Sequence, residues 1–384
     1  MYIEFSNKFA TSLGGLNPSD VINILDRARL SAYDGCHIVT CESKGAAEEI
    51  RKFVKKQNNS VIESFFCQII DDIHELNAIK NNVSIYVSII SQKTTNLLKD
   101  SSASKPEKIE IGIDIVKTPD FWRKISFLTE NTHDAMLYEW IASYEKEKKK
   151  TLGKIDVCTE RINGGGATTH DKLLEISNGK RFILCFLDSD KKDPKQKNYG
   201  ATASKFDKEK DISKMVFYYV MRAHELENLF FSYDFFSGLP KTKKGTVDKS
   251  QNRKFKTIFD KVCEAEKNES DFRFFFDVKN GYDKKTALEI PYVKNALKVN
   301  VFCNKKKCSC SFKCEECTQP EIEGFSSHYL DYIESKYASH QKLNKTNFFA
   351  DAKKLTELQK QEWEIMGNLL FSWACAYTCR SRGI

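Results

Sequence analysis

The stretch Phe182-Ile183-Leu184-Cys185-Phe186-Leu187-Asp188-Ser189-Asp190 decides how this chain is read. An unbroken apolar run of this length has the character of a strand covered on both faces. It opens straight into two carboxylates one residue apart. Alternate side chains of an extended chain point the same way, so Asp188 and Asp190 would face a common cation if the strand geometry persisted through them. Two carboxylates held close repel each other, and a hard divalent ion with oxygen ligands, Mg2+ or Mn2+, relieves that repulsion. The plainer alternative is turn chemistry, because Asp after a strand often bonds its own backbone.

Around this run the pattern is regular. Apolar strands are expected at 125–129 (ISFLT), 155–162 (IDVCTERI), 181–187 (RFILCFL) and 215–221 (MVFYYVM), separated by helix-length segments. That alternation signals an α/β domain with a largely parallel sheet covered by helices. In such a sheet, functional groups gather just beyond the carboxyl ends of the strands. Three of these strands end in acids. Glu130 follows the first, with Asp134 in the first turn of the next helix, where the helix dipole favours a carboxylate. Asp188 and Asp190 follow the third. Arg222-Ala223-His224-Glu225-Leu226-Glu227-Asn228 follows the fourth and would hold a second ion, the two-ion arrangement that activates water and stabilises a leaving oxygen. Taken singly, Glu130 and Asp134 read as helix-capping acids, and Glu225 and Glu227 as a solvated helix start. Their joint order on successive strand ends favours the metal site.

These residues resemble the TOPRIM domain of topoisomerases, primases and OLD-family nucleases: Glu130 after a first strand, a later strand ending in Asp188-Ser189-Asp190, and βαβ packing between them. The resemblance covers roughly residues 121–235. The Glu225-Leu226-Glu227-Asn228 segment is more similar to OLD-type nucleases and to anti-phage effectors such as the TOPRIM component of the PARIS system. It implies that Glu130 is an acid/base or metal-binding group, that Asp188 and Asp190 bind metal, and that Glu225 or Glu227 completes the site. Asp134 matches the acid that often follows the family glutamate by one helical turn. Two departures stand out. Asn131-Thr132-His133 replaces the glycine that many TOPRIM domains carry after the glutamate, whereas a cluster at Asn163-Gly164-Gly165-Gly166 follows the second strand, as a phosphate-approaching turn or a plain loop. No Gly-x-x-x-x-Gly-Lys-Ser/Thr loop is present in the sequence, so control by ATP would lie in a partner.

Further out, residues 1–118 read as a small α/β region for sensing, scaffolding or dimerisation. A helix is expected over Asp20 to Leu30, a strand over Cys36 to Cys41, helices over Lys44 to Lys56 and Val61 to Leu76, and a β-rich run over Val83 to Ile90. The polar stretch 99–106 reads as a linker, and an extended segment over Ile109 to Val116 precedes Pro119. The catalytic domain is expected at 119–238. A mainly helical, Phe- and Lys-rich region follows at 239–384, opening on a basic, polar loop after Pro240. Trp363, Trp373 and the apolar run between them suggest a core or docking helix.

Cys303, Cys308, Cys310, Cys314 and Cys317 crowd fifteen residues. Four thiolates would hold a structural Zn2+ with no open position for chemistry; free or redox-active thiols are the alternative. Several of the other cysteines, such as Cys158 and Cys185, sit singly in apolar strands, as reduced core thiols do. The net charge of +8 arises from 61 basic against 53 acidic residues, so placement of charge matters more than its sum. Most lysine clusters read as solvated faces. Lys191 and Lys192 differ, since they follow Asp188 and Asp190 directly and could hold a nucleic-acid phosphate or stabilise developing charge there. His133 and His224 flank the acids as phosphate donors or simple helix caps.

The sequence start has no basic segment leading into an apolar run, and no stretch approaches the roughly 20 apolar residues that span a bilayer. A cytoplasmic protein without membrane contact is expected. The leading expectation is thus a metal-dependent endonuclease cutting DNA or RNA, serving as a defence effector with an ATPase or other partner and free to form a homo-oligomer. The alternatives are a catalytically silent regulatory or nucleic-acid-binding module and a primase-like polymerase, although no further motif for nucleotide addition is present.

Overall fold

A computed structural model describes residues 1–93, 107–149, 152–177, 180–206, 215–237, 249–299, 320–325, 327–339 and 342–377. The chain is an α/β protein with two parallel four-stranded sheets flanked by helices. It divides into two units. The first comprises Met1–Phe186, Glu209–Tyr219 and Glu364–Ile384; the second comprises Leu187–Lys208 and Val220–Trp363.

The N-terminal sheet of the first unit has the order β2-β1-β3-β4, with β1 Tyr2–Phe5, β2 Ile38–Cys41, β3 Ile85–Ile90 and β4 Glu107–Gly112. All three pairings are parallel. Every residue of β1 and β2 is buried, as expected of a parallel sheet covered on both faces. Asn17 caps the helix Pro18–Tyr33 by accepting from the amides of Ser19 and Asp20, and Pro18 stands at its start, where no amide is needed. Ser43 and Asn59 cap the helices Lys44–Lys56 and Ser60–Lys80 in the same way. Two features depart from the sequence reading, which gives Tyr2–Phe5 no element. Tyr2–Phe5 is a central strand, and the segment expected to be extended to Val116 turns helical at Ile113–Val116.

The second sheet has the order β7-β5-β8-β9, with β5 Ile125–Thr129, β7 Thr159–Asn163, β8 Ile183–Leu187 and β9 Val216–Val220. β5 runs parallel to both neighbours, with Leu128 opposite Ile162 and Cys185. Phe127, Tyr138 and Phe186 meet edge to face at 5.1–5.9 Å, fastening the helix Thr132–Glu147 to the sheet. The run expected as one strand over 155–162 is two. β6 Ile155–Val157 pairs antiparallel with Cys375–Tyr377, Cys158 donates to the Ala374 carbonyl, and the chain then joins β5 as β7. Lys146, expected on a solvated face, is 5% exposed and donates to the Ile155 carbonyl at 2.7 Å.

The second unit is mainly helical and built on rings. Phe231 meets Phe255, Phe276 and Tyr329 at 5.3–6.0 Å, while Phe230 and Phe235 close on Trp363. Truncating one such ring to alanine costs about 3–5 kcal/mol. β10 Gly281–Asp283 pairs antiparallel with β11 Pro320–Glu323. Gly281 has φ +68° and lies against the Ile322 carbonyl and the Gly324 amide, so a side chain fits there neither by torsion nor by space. Trp363 and Trp373 are both buried, which makes the apolar C-terminal helix Glu357–Ala374 a core element. Among the described residues the seven cysteines are free thiols, and no helix is long and apolar enough to cross a membrane. The cluster Cys303 to Cys317, the linker at 99–106 and most of the basic segment after Pro240 lie outside the described residues.

Candidate metal centre

β8 ends at Leu187, and Ser189 and Asp190 beyond it are tied down by hydrogen bonds rather than by a ladder. The Ser189 hydroxyl, wholly buried, donates to the Ala223 carbonyl and accepts from the Lys191 amide. The Asp190 amide donates to the His224 carbonyl at 2.9 Å, and the Gly200 amide to the Ser189 carbonyl at 2.9 Å. Asp190 has φ +54°. The extended geometry that would aim Asp188 and Asp190 the same way therefore does not persist, and the backbone turns at Asp190 into the left-handed region. Gly200 packs against the Asp190 side chain so closely that a β-carbon there would overlap its carboxylate.

Beyond β9, Glu225 and Glu227 are placed by Asn228. Its side-chain oxygen accepts from the Glu225 amide at 3.0 Å, and its side-chain nitrogen donates to the carbonyls of Arg273 and Phe276 at 2.8 and 2.7 Å. The His224 amide donates to the Phe274 carbonyl. These bonds bind 224–228 to the turn at 274–281, and that turn carries two residues the sequence did not single out. Asp277 accepts from the Asn280 amide at 2.8 Å and from Lys192 Nζ at 3.1 Å. Lys279 Nζ lies 3.2 Å from Glu225 Oε2 and 3.2 Å from Glu227 Oε1. The Glu225 and Glu227 pair, read from sequence as seats for a second metal ion or as a solvated helix start, instead embraces an internal cation, and Glu227 is only 3% exposed.

Electrostatics follow from this burial. Desolvation raises the carboxyl groups of Glu225 and Glu227 above the ordinary range, with Lys279 opposing it. Burial works against the Lys279 ammonium too, but the two glutamates and Asp188 hold its pKa well above the ordinary lysine value. Asp190 is raised, chiefly by burial. Burial also pushes at Asp277, yet Asn280 and Lys192 hold it below the usual carboxylate value. His224 is 2% exposed, neither ring nitrogen has a hydrogen-bond partner, and burial takes its pKa down to about 4, so the imidazole is neutral at pH 7. Its Nε2 lies 4.0 Å from Glu225 Oε1 and 3.9 Å from Asp277 Oδ2. One ligand atom from each of His224, Glu225 and Asp277 falls within 4.8 Å of the others. A neutral imidazole without a partner beside two carboxylates is a donor set that fits a divalent cation.

The residues expected to form the site are thus distributed as follows. Asp188, Asp190, Lys191, Lys192, Glu225 and Glu227 belong to the second unit. Lys191 Nζ sits over the Tyr199 ring at 4.2 Å. Glu130 and Asp134 belong to the first unit, where Asp134 Oδ2 accepts from the Asn131 amide and completes a capping box. The glycine cluster has a local duty as well: the Gly164 amide donates to the Thr129 carbonyl, and those of Gly165 and Gly166 donate to the Glu130 carbonyl. These amides brace the chain after β5. Asp277 and Lys279 are what sequence reading missed, and from sequence His224 reads as a phosphate donor or helix cap and not as a metal ligand. His224 carried a signal, standing beside Glu225. Asp277 and Lys279, after a phenylalanine run and before Asn280-Gly281, look like turn residues.

No protein-family model, curated protein or solved structure matches the chain.

Proposed function

We propose that this protein is a metal-dependent phosphodiester hydrolase acting on nucleic acid, with a TOPRIM-type arrangement of acids. The observation that carries the reading is the meeting of Glu225, just past β9, and Asp277, from the turn at 274–281, at a buried, neutral His224. A divalent ion there would supply a water activated near neutral pH and an electrophile for a phosphoryl oxygen. The chain's own residues do the rest. Glu225 and Asp277 offer oxygen ligands, and Asp188 and Asp190 add carboxylates at the same turn. Lys191 and Lys192, next in sequence, supply positive charge for a phosphate. Lys279 neutralises Glu225 and Glu227, a task that a second ion would otherwise perform. Glu130 enters on the resemblance alone, as acid/base or metal-binding group. The resemblance also supports a defence effector whose ATP-dependent control resides in a partner.

The test is direct. Purified protein with Mg2+ or Mn2+ should cut at least one of single- or double-stranded DNA or RNA, and Asp188→Ala and Glu130→Ala should each lower the rate by at least about a hundredfold. Cutting at wild-type rate by both variants sinks the assignment. A second reading, a catalytically silent nucleic-acid-binding module, draws support from Lys279, because an acidic pair already satisfied by an internal ammonium needs no metal. Salt-dependent nucleic-acid binding with no cleavage under any divalent ion would favour it.

A further inference from the structure

We infer that His224, Glu225 and Asp277 form a mixed nitrogen and oxygen site that selects a first-row transition ion, Mn2+ among the hard ones, over Mg2+. The inference deepens the hydrolase reading and rests on it for what the ion is for; the ion itself is measured without substrate.

Three features carry it. First, His224 is 2% exposed and both its ring nitrogens lack hydrogen-bond partners. A buried polar group left unsatisfied costs roughly 1–3 kcal/mol, so its retention calls for a partner that protein atoms do not supply. Second, Nε2 faces Glu225 Oε1 at 4.0 Å and Asp277 Oδ2 at 3.9 Å. Metal–ligand bonds of about 2.1 Å place adjacent ligand atoms roughly 3–3.5 Å apart, and small side-chain rotations close that difference. Third, the remaining carboxylate atoms are already held: Glu225 Oε2 by Lys279, and Asp277 Oδ1 by the Asn280 amide. Such second partners orient ligands toward an ion.

The nitrogen sets the preference. Mg2+ demands near-ideal octahedral oxygen coordination and gives up water reluctantly, whereas imidazole suits the transition ions. Mn2+ is the probe of choice for this chain. Zn2+ and Co2+ would be drawn to its thirteen cysteines, while Mn2+ favours oxygen-rich sites over thiolates.

The experiment is Mn2+ binding to the full chain by equilibrium dialysis and pulsed electron paramagnetic resonance, with Mg2+ as competitor. We expect one Mn2+ per chain, at least about tenfold tighter than Mg2+, with nitrogen-14 coupling from a directly bound imidazole. His224→Gln should abolish that coupling and weaken Mn2+ by at least about tenfold, with circular dichroism verifying the fold. Bound Mn2+ without nitrogen coupling in the wild type overturns the inference whether or not the variant folds, and so does wild-type affinity in a folded His224→Gln. Nitrogen-coupled Mn2+ with no cleavage of any nucleic acid sustains the site and defeats the hydrolase. Cleavage that runs equally on Mg2+ and survives His224→Gln does the reverse.

Discussion

Lys279 Nζ stands 3.2 Å from Glu227 Oε1 in a setting where Glu227 is 3% exposed. The ammonium also reaches Glu225 Oε2, so one lysine balances two carboxylates. Removing one partner of a buried ion pair leaves an uncompensated charge, which is worse than never having had the pair. Lys279→Met should therefore destabilise the protein by roughly 3 kcal/mol, at the low end for such pairs because the lysine is half-buried. Mn2+ should recover more of the melting temperature in the variant than it adds to the wild type, since an ion can take over the missing charge. Thermal melts with and without Mn2+ check both statements. A variant as stable as the wild type would mean that Glu227 is already protonated in the folded state.

Lys192 makes the opposite case. Its Nζ donates to Asp277 Oδ2, the atom that faces His224, and so competes with any ion for that oxygen. A ligand deletion weakens metal binding, but deleting a competitor strengthens it. Lys192→Gln should tighten Mn2+ by about 1 kcal/mol, roughly fivefold, after allowance for screening of a partly exposed ammonium. Dialysis against Mn2+ reads the change. If affinity falls instead, Lys192 orients Asp277 for the ion and does not compete with it.

How far the sequence discloses this molecule depends on the range of the forces that set each part. β5 and β8 are legible because a buried parallel strand shows as a short, largely apolar run: Ile183–Leu187 is apolar throughout, and Ile125–Thr129 is broken only by the small Ser126 and ends on Thr129. The helix Lys44–Lys56 is legible to the residue, since Ser43 caps it locally. The break at Cys158 is not, because β6 is claimed by Cys375–Tyr377, more than two hundred residues away in the chain. Tyr2–Phe5 is four residues with no pattern of its own, made central by neighbours on both sides. The same division runs through the site. Asp188, Asp190, Glu225 and Glu227 stand at strand ends and declare themselves. Asp277 and Lys279 reach the cluster through long-range bonds, the Asn228 side chain to the carbonyls of Arg273 and Phe276 and the His224 amide to the Phe274 carbonyl. Nothing local to 273–281 encodes that meeting.

Gly200 and Asp190 give a test of the turn itself. A β-carbon at Gly200 would overlap the Asp190 side chain from Cβ to Oδ2, so Gly200→Ala forces the carboxylate out of its position. Overpacking of this kind costs about 1–3 kcal/mol. Asp190 also has φ +54°, a conformation glycine adopts without strain, so Asp190→Gly removes both the obstacle and the torsional penalty. The effects should not add: Gly200→Ala in the Asp190→Gly background should lose less than about 0.5 kcal/mol. Denaturant melts of the four proteins close the cycle. Additive losses would place the Gly200 requirement elsewhere, in its amide bond to the Ser189 carbonyl.

His37 supplies a pH signature in the first unit, well apart in the chain from His224, Glu225 and Asp277. It is wholly buried, and burial holds its pKa well below the ordinary value of 6.5. In the unfolded chain the imidazole takes up its proton near pH 6.5; in the folded chain it does not. The unfolded state therefore binds more protons as pH falls. The stability tied to a neutral His37 is fully present above pH 6.5 and is lost progressively below it, by up to about 1.4 kcal/mol per pH unit. Urea midpoints at pH 7.5, 6.5 and 5.5 should fall across the lower interval in the wild type. His37→Phe, which cannot titrate, should lessen that fall, leaving the share due to the buried His224, even if its stability at pH 7.5 is lower. Equal slopes in the two proteins would show that His37 is protonated inside the fold.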